Sequence, residues 1–176
     1  MRIVCCLLMM VLGFPLYAQQ AATPADPGAA LKPEDFTSER HGDWELVCAK
    51  TGACIMAQVG NDSKGTPIME MRIRKLPEVQ EVEGKKILAI ADILTPLGVL
   101  LMPGIELQID LGPVYAANYQ LCTETGCLVR EPLAEETVKA FKAGSKATVS
   151  LMAAGQGEVR ATLSLKGFTS AYEALK

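Results

Sequence analysis

The stretch WELVCAKTGACIMAQV, residues 44–59, decides the fold class of this chain. It contains two short apolar-rich runs of the kind that form β-strands, separated by a segment with the turn-forming residue Gly52. Cys48 and Cys54 flank this turn, so a hairpin would bring their Cα atoms within disulfide range. The stretch therefore predicts a β-hairpin that is closed by a disulfide bond.

A second cysteine pair, Cys122 and Cys127, brackets another turn former, Gly126. Four cysteines allow three connectivities, and local pairing is favoured because each pair encloses its own turn. A metal site is the alternative, but it needs closer cysteine spacing and usually histidine, and the chain has a single histidine, His41. We therefore predict two structural disulfides, each stabilising the fold by about 2 kcal/mol.

Short apolar runs broken by Gly, Pro, Asn and Asp recur along the rest of the chain at intervals of roughly ten residues. The predicted strands are 44–48, 54–59, 68–75, 86–92, 99–101, 105–110, 115–122, 128–130, 147–153 and 159–165. Leu133 to Ala143 instead has the apolar spacing of an amphipathic helix that ends at Gly144, and Phe168 to Leu175 is a weaker helical candidate. Many strands with one short crossover helix and a short C-terminal helix predict an all-β sandwich.

Residues 1–18 have the pattern of a secretory signal peptide, in which one basic residue precedes an apolar run from Ile3 to Leu16. As a helix of about 14 residues, this run would rise about 21 Å, which is short of the hydrocarbon core of roughly 30 Å. We predict cleavage after Ala18, which would remove Cys5 and Cys6 with the leader. A retained N-terminal anchor is the alternative.

Residues 19–40 are rich in Ala, Pro and acidic residues, which predicts a flexible linker. Residues 41–176 then form one domain, because about 135 residues suffice for a single core. The chain has 17 Lys and Arg against 20 Asp and Glu, and loss of the one basic residue in the leader changes the formal charge from −3 to −4. This balance, without a Lys/Arg cluster, predicts no nucleic-acid partner, and membrane contact only through a retained leader.

The sequence contains no recognisable set of catalytic residues. His41 lies two residues before Asp43, a spacing compatible with an acid–base pair, but a histidine at a strand entry is more often a solvated or capping side chain. Asp62, Asp92 and Asp110 are expected at turns or strand ends, where such residues bond the backbone. We therefore expect no enzyme activity, no catalytic residue, no cofactor and no metal ligand.

The segment TPLGVLLMPG, residues 95–104, places a continuous apolar run between prolines and glycines. Such a run is either a short buried strand or an exposed apolar loop. In the first case it belongs to the core, and in the second it is a contact surface for a protein or a membrane. The candidate interaction residues are Val99, Leu100, Leu101 and Met102.

Four motifs follow one another along the chain: Gly42-Asp43-Trp44 with Val47-Cys48, Pro96-Leu97-Gly98-Val99-Leu100-Leu101 with Pro103-Gly104, the Cys122–Cys127 hairpin, and Leu165-Lys166-Gly167-Phe168-Thr169. In their order and spacing they resemble the invasion-associated locus B family of bacterial exported proteins, over about Gly42 to Leu175. The resemblance implies an immunoglobulin-like β-sandwich in the cell envelope. It also implies a non-enzymatic role, associated in some pathogens with host-cell invasion.

We expect an exported protein, periplasmic or secreted, that acts as an interaction or accessory module for another envelope protein. The alternative is a periplasmic small-ligand or carbohydrate-binding protein that uses the loops of the sandwich. Trp44, the one tryptophan, is expected in the core, which leaves few aromatic rings to stack on a sugar.

Overall fold

The computed structural model describes residues 35–176, which contain eleven strands and two helices. The strands are β1 (Phe36–His41), β2 (Trp44–Ala49), β3 (Cys54–Asn61), β4 (Pro67–Val82), β5 (Lys85–Thr95), β6 (Ile105–Ile109), β7 (Val114–Ala117), β8 (Tyr119–Thr123), β9 (Gly126–Ala134), β10 (Lys146–Ala153) and β11 (Gly157–Ser164). The helices are α1 (Glu135–Ala143) and α2 (Phe168–Ala174). All eleven strands belong to one hydrogen-bonded sheet.

The sheet divides at β3 into two layers. The first half of β3 pairs with β2, so the first layer has the order β1-β2-β3-β4-β5-β9-β8. At the end of β3, Asn61 pairs with Thr162 of β11, which begins the second layer, β11-β10-β6-β7. Neighbouring strands in both layers are antiparallel.

The two layers enclose one hydrophobic core. Alternate residues are buried along β5 of the first layer, such as Ala91 and Ile93, and along β10 of the second layer, such as Val149 and Leu151. These side chains belong to a single cluster to which both layers contribute. The all-β, sandwich-like fold predicted from the sequence is therefore confirmed.

Helix α1 is the predicted crossover helix, since it links β9 of the first layer to β10 of the second. It begins at Glu135 rather than at Leu133, because Leu133 still pairs with β5. Val138 and Phe141 are buried in the core. The helix ends where predicted, with Gly144 at its C-terminal cap.

Helix α2 contributes aromatic packing to the same core. The ring of Phe168 stacks on Phe141 with a centroid distance of 5.0 Å and meets Trp44 edge-on at 5.3 Å. Beyond the helix, the carbonyl oxygen of Leu175 accepts a hydrogen bond from Lys75 Nζ at 2.8 Å. The C-terminal end of the chain is thereby bound to the first layer.

The turn between β1 and β2 lies against the segment that connects β11 to α2. The Asp43 N–H donates to the carbonyl oxygen of Lys166 at 3.0 Å, and the indole Nε1–H of Trp44 donates to the carbonyl oxygen of Ser164 at 2.9 Å. Trp44 is fully buried, so this bond satisfies a polar group that the core would otherwise leave unpaired.

Two glycines allow the backbones to approach this closely. A Cβ atom on Gly42 would lie 2.5 Å from the carbonyl oxygen of Lys166, and one on Gly167 would collide with the carbonyl oxygen of His41. Gly167 also has a φ of 87°, a left-handed value that other residues rarely adopt. Two of the four sequence motifs, Gly42-Asp43-Trp44 and Leu165-Lys166-Gly167-Phe168-Thr169, are therefore parts of one contact.

The N-terminal boundary of the folded domain differs from the prediction. Strand β1 pairs with β2 from Phe36 onward, so residues 36–40 belong to the sheet and their assignment to the linker was wrong. The strand escaped detection because residues 37–40 are all exposed and carry no apolar alternation. Residues 19–34 of the predicted linker and the predicted signal peptide lie outside the described residues.

Two predicted strands also differ from the structure. Residues 99–101 form a loop in which Val99 makes a single bridge to Ala153. The predicted strand 115–122 is divided at Asn118, because β7 pairs with β6 in the second layer while β8 pairs with β9 in the first.

Both predicted disulfides are present and both are local. Cys48 bonds to Cys54 across the β2–β3 hairpin, and Cys122 bonds to Cys127 across the β8–β9 hairpin. Each pair is also directly opposite in the strand register, which is why hairpin formation alone brings the sulfur atoms together.

Replacing Gly167 by alanine should destabilise the domain strongly. The left-handed φ costs about 1 kcal/mol, and the collision with the His41 carbonyl adds a backbone shift, so we expect a loss of at least about 2 kcal/mol in the free energy of unfolding. Urea unfolding measures this loss. The matched control is Gly65→Ala, because Gly65 has a φ of 83° but no atom within 4 Å of the added Cβ. Equal losses in the two variants would contradict the close approach.

The chain without residues 1–18 should contain no titratable thiol when it is unfolded without reductant, since its four cysteines are paired. Reduction of both disulfides should lower the free energy of unfolding by about 2 kcal/mol per bond, because each bond closes a loop that the unfolded chain would otherwise leave open. Thiol titration with a chromogenic disulfide reagent counts the groups. Detection of two or more thiols before reduction would refute the pairing.

Candidate functional site

The segment between β5 and β6, residues 96–104, forms a loop that we call the apolar loop. Its backbone is bound to the β10–β11 hairpin: the Leu100 N–H donates to the Met152 carbonyl oxygen at 2.8 Å, and the Ala154 N–H donates to the Gly98 carbonyl oxygen, also at 2.8 Å. Strand-like bonds of this kind leave the loop backbone little freedom. The loop is therefore an ordered part of the surface rather than a flexible connection between β5 and β6.

Four large apolar side chains of the apolar loop are exposed to solvent. The exposed fractions are 56% for Leu97, 44% for Leu100, 51% for Leu101 and 94% for Met102. Val99 is half-buried and packs against the core. Of the two alternatives that the sequence left open, the exposed loop holds for Leu100, Leu101 and Met102, whereas Val99 anchors the loop.

Both ends of the apolar loop are held by close backbone contacts. At its start, Gly126 of the second disulfide hairpin lies against the carbonyl oxygen of Thr95, where any Cβ would collide. Thr95 is buried, and its hydroxyl donates to the Cys127 carbonyl oxygen at 3.4 Å. At the end of the loop, Gly104 lies equally close to the carbonyl oxygen of Ala117. The Cys122–Cys127 hairpin thus supports the base of the exposed surface.

An open groove of about 520 Å³ adjoins the C-terminal end of the apolar loop. It is lined by Pro103, Gly104, Ile105, Glu106, Ser150, Leu151, Met152 and Glu158. Glu158 is held in an ion pair by Arg160 at 2.8 Å, whereas Glu106 is an exposed carboxylate. An apolar loop next to a groove with an acidic rim can contact both an apolar and a basic group of a partner.

Sequence reasoning did not single out Leu97 or the two glutamates. Leu97 lies inside the same apolar run, two residues before the first candidate, and its position between Pro96 and Gly98 was a usable signal. Glu106 alternates with the buried residues Ile105 and Leu107, which indicates only that it faces outward. Its proximity to Glu158 depends on the pairing of strands far apart in the sequence, which no local pattern encodes.

The structure does not bring His41 and Asp43 together as an acid–base pair. His41 Nε2 lies 3.4 Å from Glu39 Oε1, and the His41 side chain is largely buried beside the turn. The backbone N–H of Asp43 is used in the contact with Lys166. These residues therefore lie at the structural contact between the two ends of the domain.

Two of the three singled-out aspartates have the expected role at turns. Asp62 Oδ1 accepts hydrogen bonds from the N–H groups of Thr66 and Lys64, each at 2.8 Å, and the bond from Thr66 is the main cause of its lowered pKa. Asp110 accepts bonds from the N–H groups of Ser145 and Lys146, just before and at the start of β10. The expectation for Asp92 was wrong, since it lies within β5 and forms a two-point ion pair with Arg130.

Within residues 35–176, no three His, Cys, Asp or Glu side chains lie close enough together to hold a metal ion. In the same part of the chain, no helix has the length and apolar character needed to cross a membrane.

Comparison with known proteins confirms the resemblance carried by the four motifs. The family model for the invasion associated locus B protein matches residues 44–176. The crystal structure of invasion associated protein B from Bartonella henselae is similar to this chain with a TM-score of 0.63 and 22% identity, covering 78% of this chain and 94% of that one. At this identity the similarity shows the fold alone. No curated protein matches the chain.

Proposed function

The chain belongs to the invasion associated locus B family, and from this premise we propose that it is an exported, non-enzymatic protein of the cell envelope that acts as an interaction or accessory module. Its partner would be another envelope protein, and its setting either an envelope complex or contact with a host cell. The proposal includes no cofactor and no nucleic acid. Membrane contact enters it only if the leader is retained.

The observation that carries this proposal is the apolar loop. A water-exposed group of Leu97, Leu100, Leu101 and Met102 on a fixed backbone costs solubility without contributing to the core. Because the backbone of the loop is already fixed, binding a partner costs less conformational entropy. Burial of such side chains by a partner is favourable by about 25 cal/mol per Å² of apolar surface. These features favour a protein contact over an unused surface.

Export is supported by the cysteine usage of the domain. Both cysteine pairs of the described residues are oxidised, and disulfides persist in the periplasm or outside the cell rather than in the cytosol. The predicted leader agrees with this, although it lies outside the described residues. A periplasmic or secreted location follows as part of the proposal.

Ligand binding is the second candidate, because a polar groove of about 510 Å³ lies where the end of β3 meets β11 of the second layer. Gln58 and Ser164 line this groove, and Ser164 also accepts the hydrogen bond from the Trp44 indole. Trp44 itself is buried, and Tyr115 is the one exposed aromatic side chain among the described residues, so stacking on sugars has little support.

A ligand in the polar groove should change Trp44 fluorescence, because the indole and the groove share Ser164. Titration of the folded domain with oligosaccharides and small periplasmic metabolites, with emission recorded at each step, tests this second candidate. A saturable change that Asn61→Ala weakens would favour it. A flat titration across the panel would remove its support.

Substituting Leu101 and Met102 by Asp should abolish partner recovery while the domain stays folded. Two carboxylates would have to be desolvated in the contact, so we expect at least about a tenfold loss of crosslinked partner. The measurement is in-cell crosslinking of tagged full chain, followed by mass spectrometry of the partners and of the mature amino terminus.

The matched control for this experiment is Leu111→Asp. Leu111 is 97% exposed, close to the 94% of Met102, but it follows β6, whereas the apolar loop precedes that strand. The control should recover the partner as wild type does. Unfolding of the loop variant would assign the loop to the core, and equal partner loss in the control would contradict a specific surface.

A further inference from the structure

The outer faces of the two layers differ in chemistry. On the second layer, most of the residues that alternate with buried ones in β6 and β10 are polar, for example Gln108 and Thr148, although Met152 and, on the neighbouring β7, Val114 are apolar. On the first layer, the corresponding residues of the central strands include Ile90 and Leu94 of β5 and Leu128 of β9, all partly exposed. The first-layer face therefore has the more apolar centre of the two.

Strand register arranges the first-layer face into rows. One row contains Val59, Glu70, Leu94, Leu128 and Leu121, which are paired in turn from β3 to β8. The two residues at its ends are strongly exposed to solvent: Val59 is 47% exposed and Leu121 is 50% exposed. Apolar side chains dominate this row, so it forms an apolar stripe across five strands.

The adjacent row is charged, and its charges are balanced once Glu70 of the stripe is included. It places Arg72, Asp92 and Arg130 side by side across β4, β5 and β9. Arg72 forms a two-point ion pair with Glu70 at 2.9 and 2.8 Å, and Arg130 forms one with Asp92 at 2.6 and 2.9 Å. When a partner buries charges that are already paired and hydrogen-bonded, the desolvation penalty is much smaller than for isolated charges.

We propose that this first-layer outer face binds the same face of a second copy of the chain. The signs alternate along the charged row. A twofold axis that runs parallel to the strands, between β4 and β5, would therefore place Arg72 of one copy opposite Asp92 of the other. The same axis places Val59 of the stripe opposite Leu128 of the copy, and Glu70, which Arg72 already neutralises, opposite Leu94. The face is thus complementary to its own copy at Arg72 and Asp92 in charge, and at Val59 and Leu128 in polarity.

The charge and the area of this face favour a second copy of the chain as its partner over a lipid surface or a nucleic acid. The ionic groups of the two rows pair within the face, which gives no attraction to anionic lipid or nucleic acid. The six first-layer strands that lie symmetrically about this axis, from β2 to β8, are spaced by about 4.8 Å and would present roughly 600 Å² over a length of about 20 Å. This approaches the roughly 800 Å² that each partner contributes to a standard interface. Packing of two twisted sheets face to face is also an established arrangement.

Analytical ultracentrifugation of residues 19–176 over a concentration series tests the proposal. We expect reversible dimer formation, and Leu128→Lys should weaken it by at least about tenfold, because the axis places this lysine opposite Val59 of the copy, where its charge must be desolvated. The matched control is Thr148→Lys, which adds the same charge to a partly buried strand position on the second-layer outer face. Circular dichroism verifies folding in each variant.

The outcomes separate this proposal from the function proposed for the apolar loop. Monomer at every concentration, or equal weakening by Thr148→Lys, would overturn it. If Leu128→Lys fails to fold, the double variant Val59→Lys/Leu121→Lys decides, because both positions are about half exposed and can carry a charged side chain without burying it in the domain core. Partner recovery through the apolar loop should persist in every variant of the stripe that remains folded.

Discussion

The close approach of the β1–β2 turn to the segment before α2 is the contact on which the rest of the domain depends. It joins residues more than a hundred positions apart, as in the bond from Trp44 to Ser164, and so brings the two ends of the chain together. Bringing such distant segments together costs loop entropy that only well-formed contacts repay. The absence of a side chain on Gly42 and Gly167 permits the backbone contact, and Phe168 then packs against Trp44 in the core.

Local sequence patterns predicted most of the fold because most of its elements have alternating burial or tight turns. The β2–β3 and β8–β9 hairpins carry their own turn residues and their own disulfides, so they could be placed without knowledge of distant strands. Strand β1 could not, because its exposed polar residues pair with β2 without any apolar alternation of their own. Asp92 was misplaced for a related reason, since its ion pair with Arg130 depends on the register of β5 against β9.

The candidate site shows the same division between local and distant information. Composition alone indicated that residues 95–104 were unusual, and it left burial and exposure as two open alternatives. Backbone bonds to Met152 and Ala154, about fifty residues further along the chain, decide between them. These bonds hold Val99 against the core and leave Leu100, Leu101 and Met102 exposed. A distant hairpin therefore determines which half of one apolar run faces water.

Rigidity and exposure act together at this site. Flexible apolar segments tend to collapse onto their own domain, and ordering them for a partner costs conformational entropy. Here the glycine contacts at both ends of the apolar loop and the bonds to β10–β11 prevent that collapse. The second disulfide stabilises the hairpin on which the base of the loop rests, so oxidation supports the loop as well as the fold. An oxidising compartment would thus favour both the stability of the domain and the shape of its exposed surface.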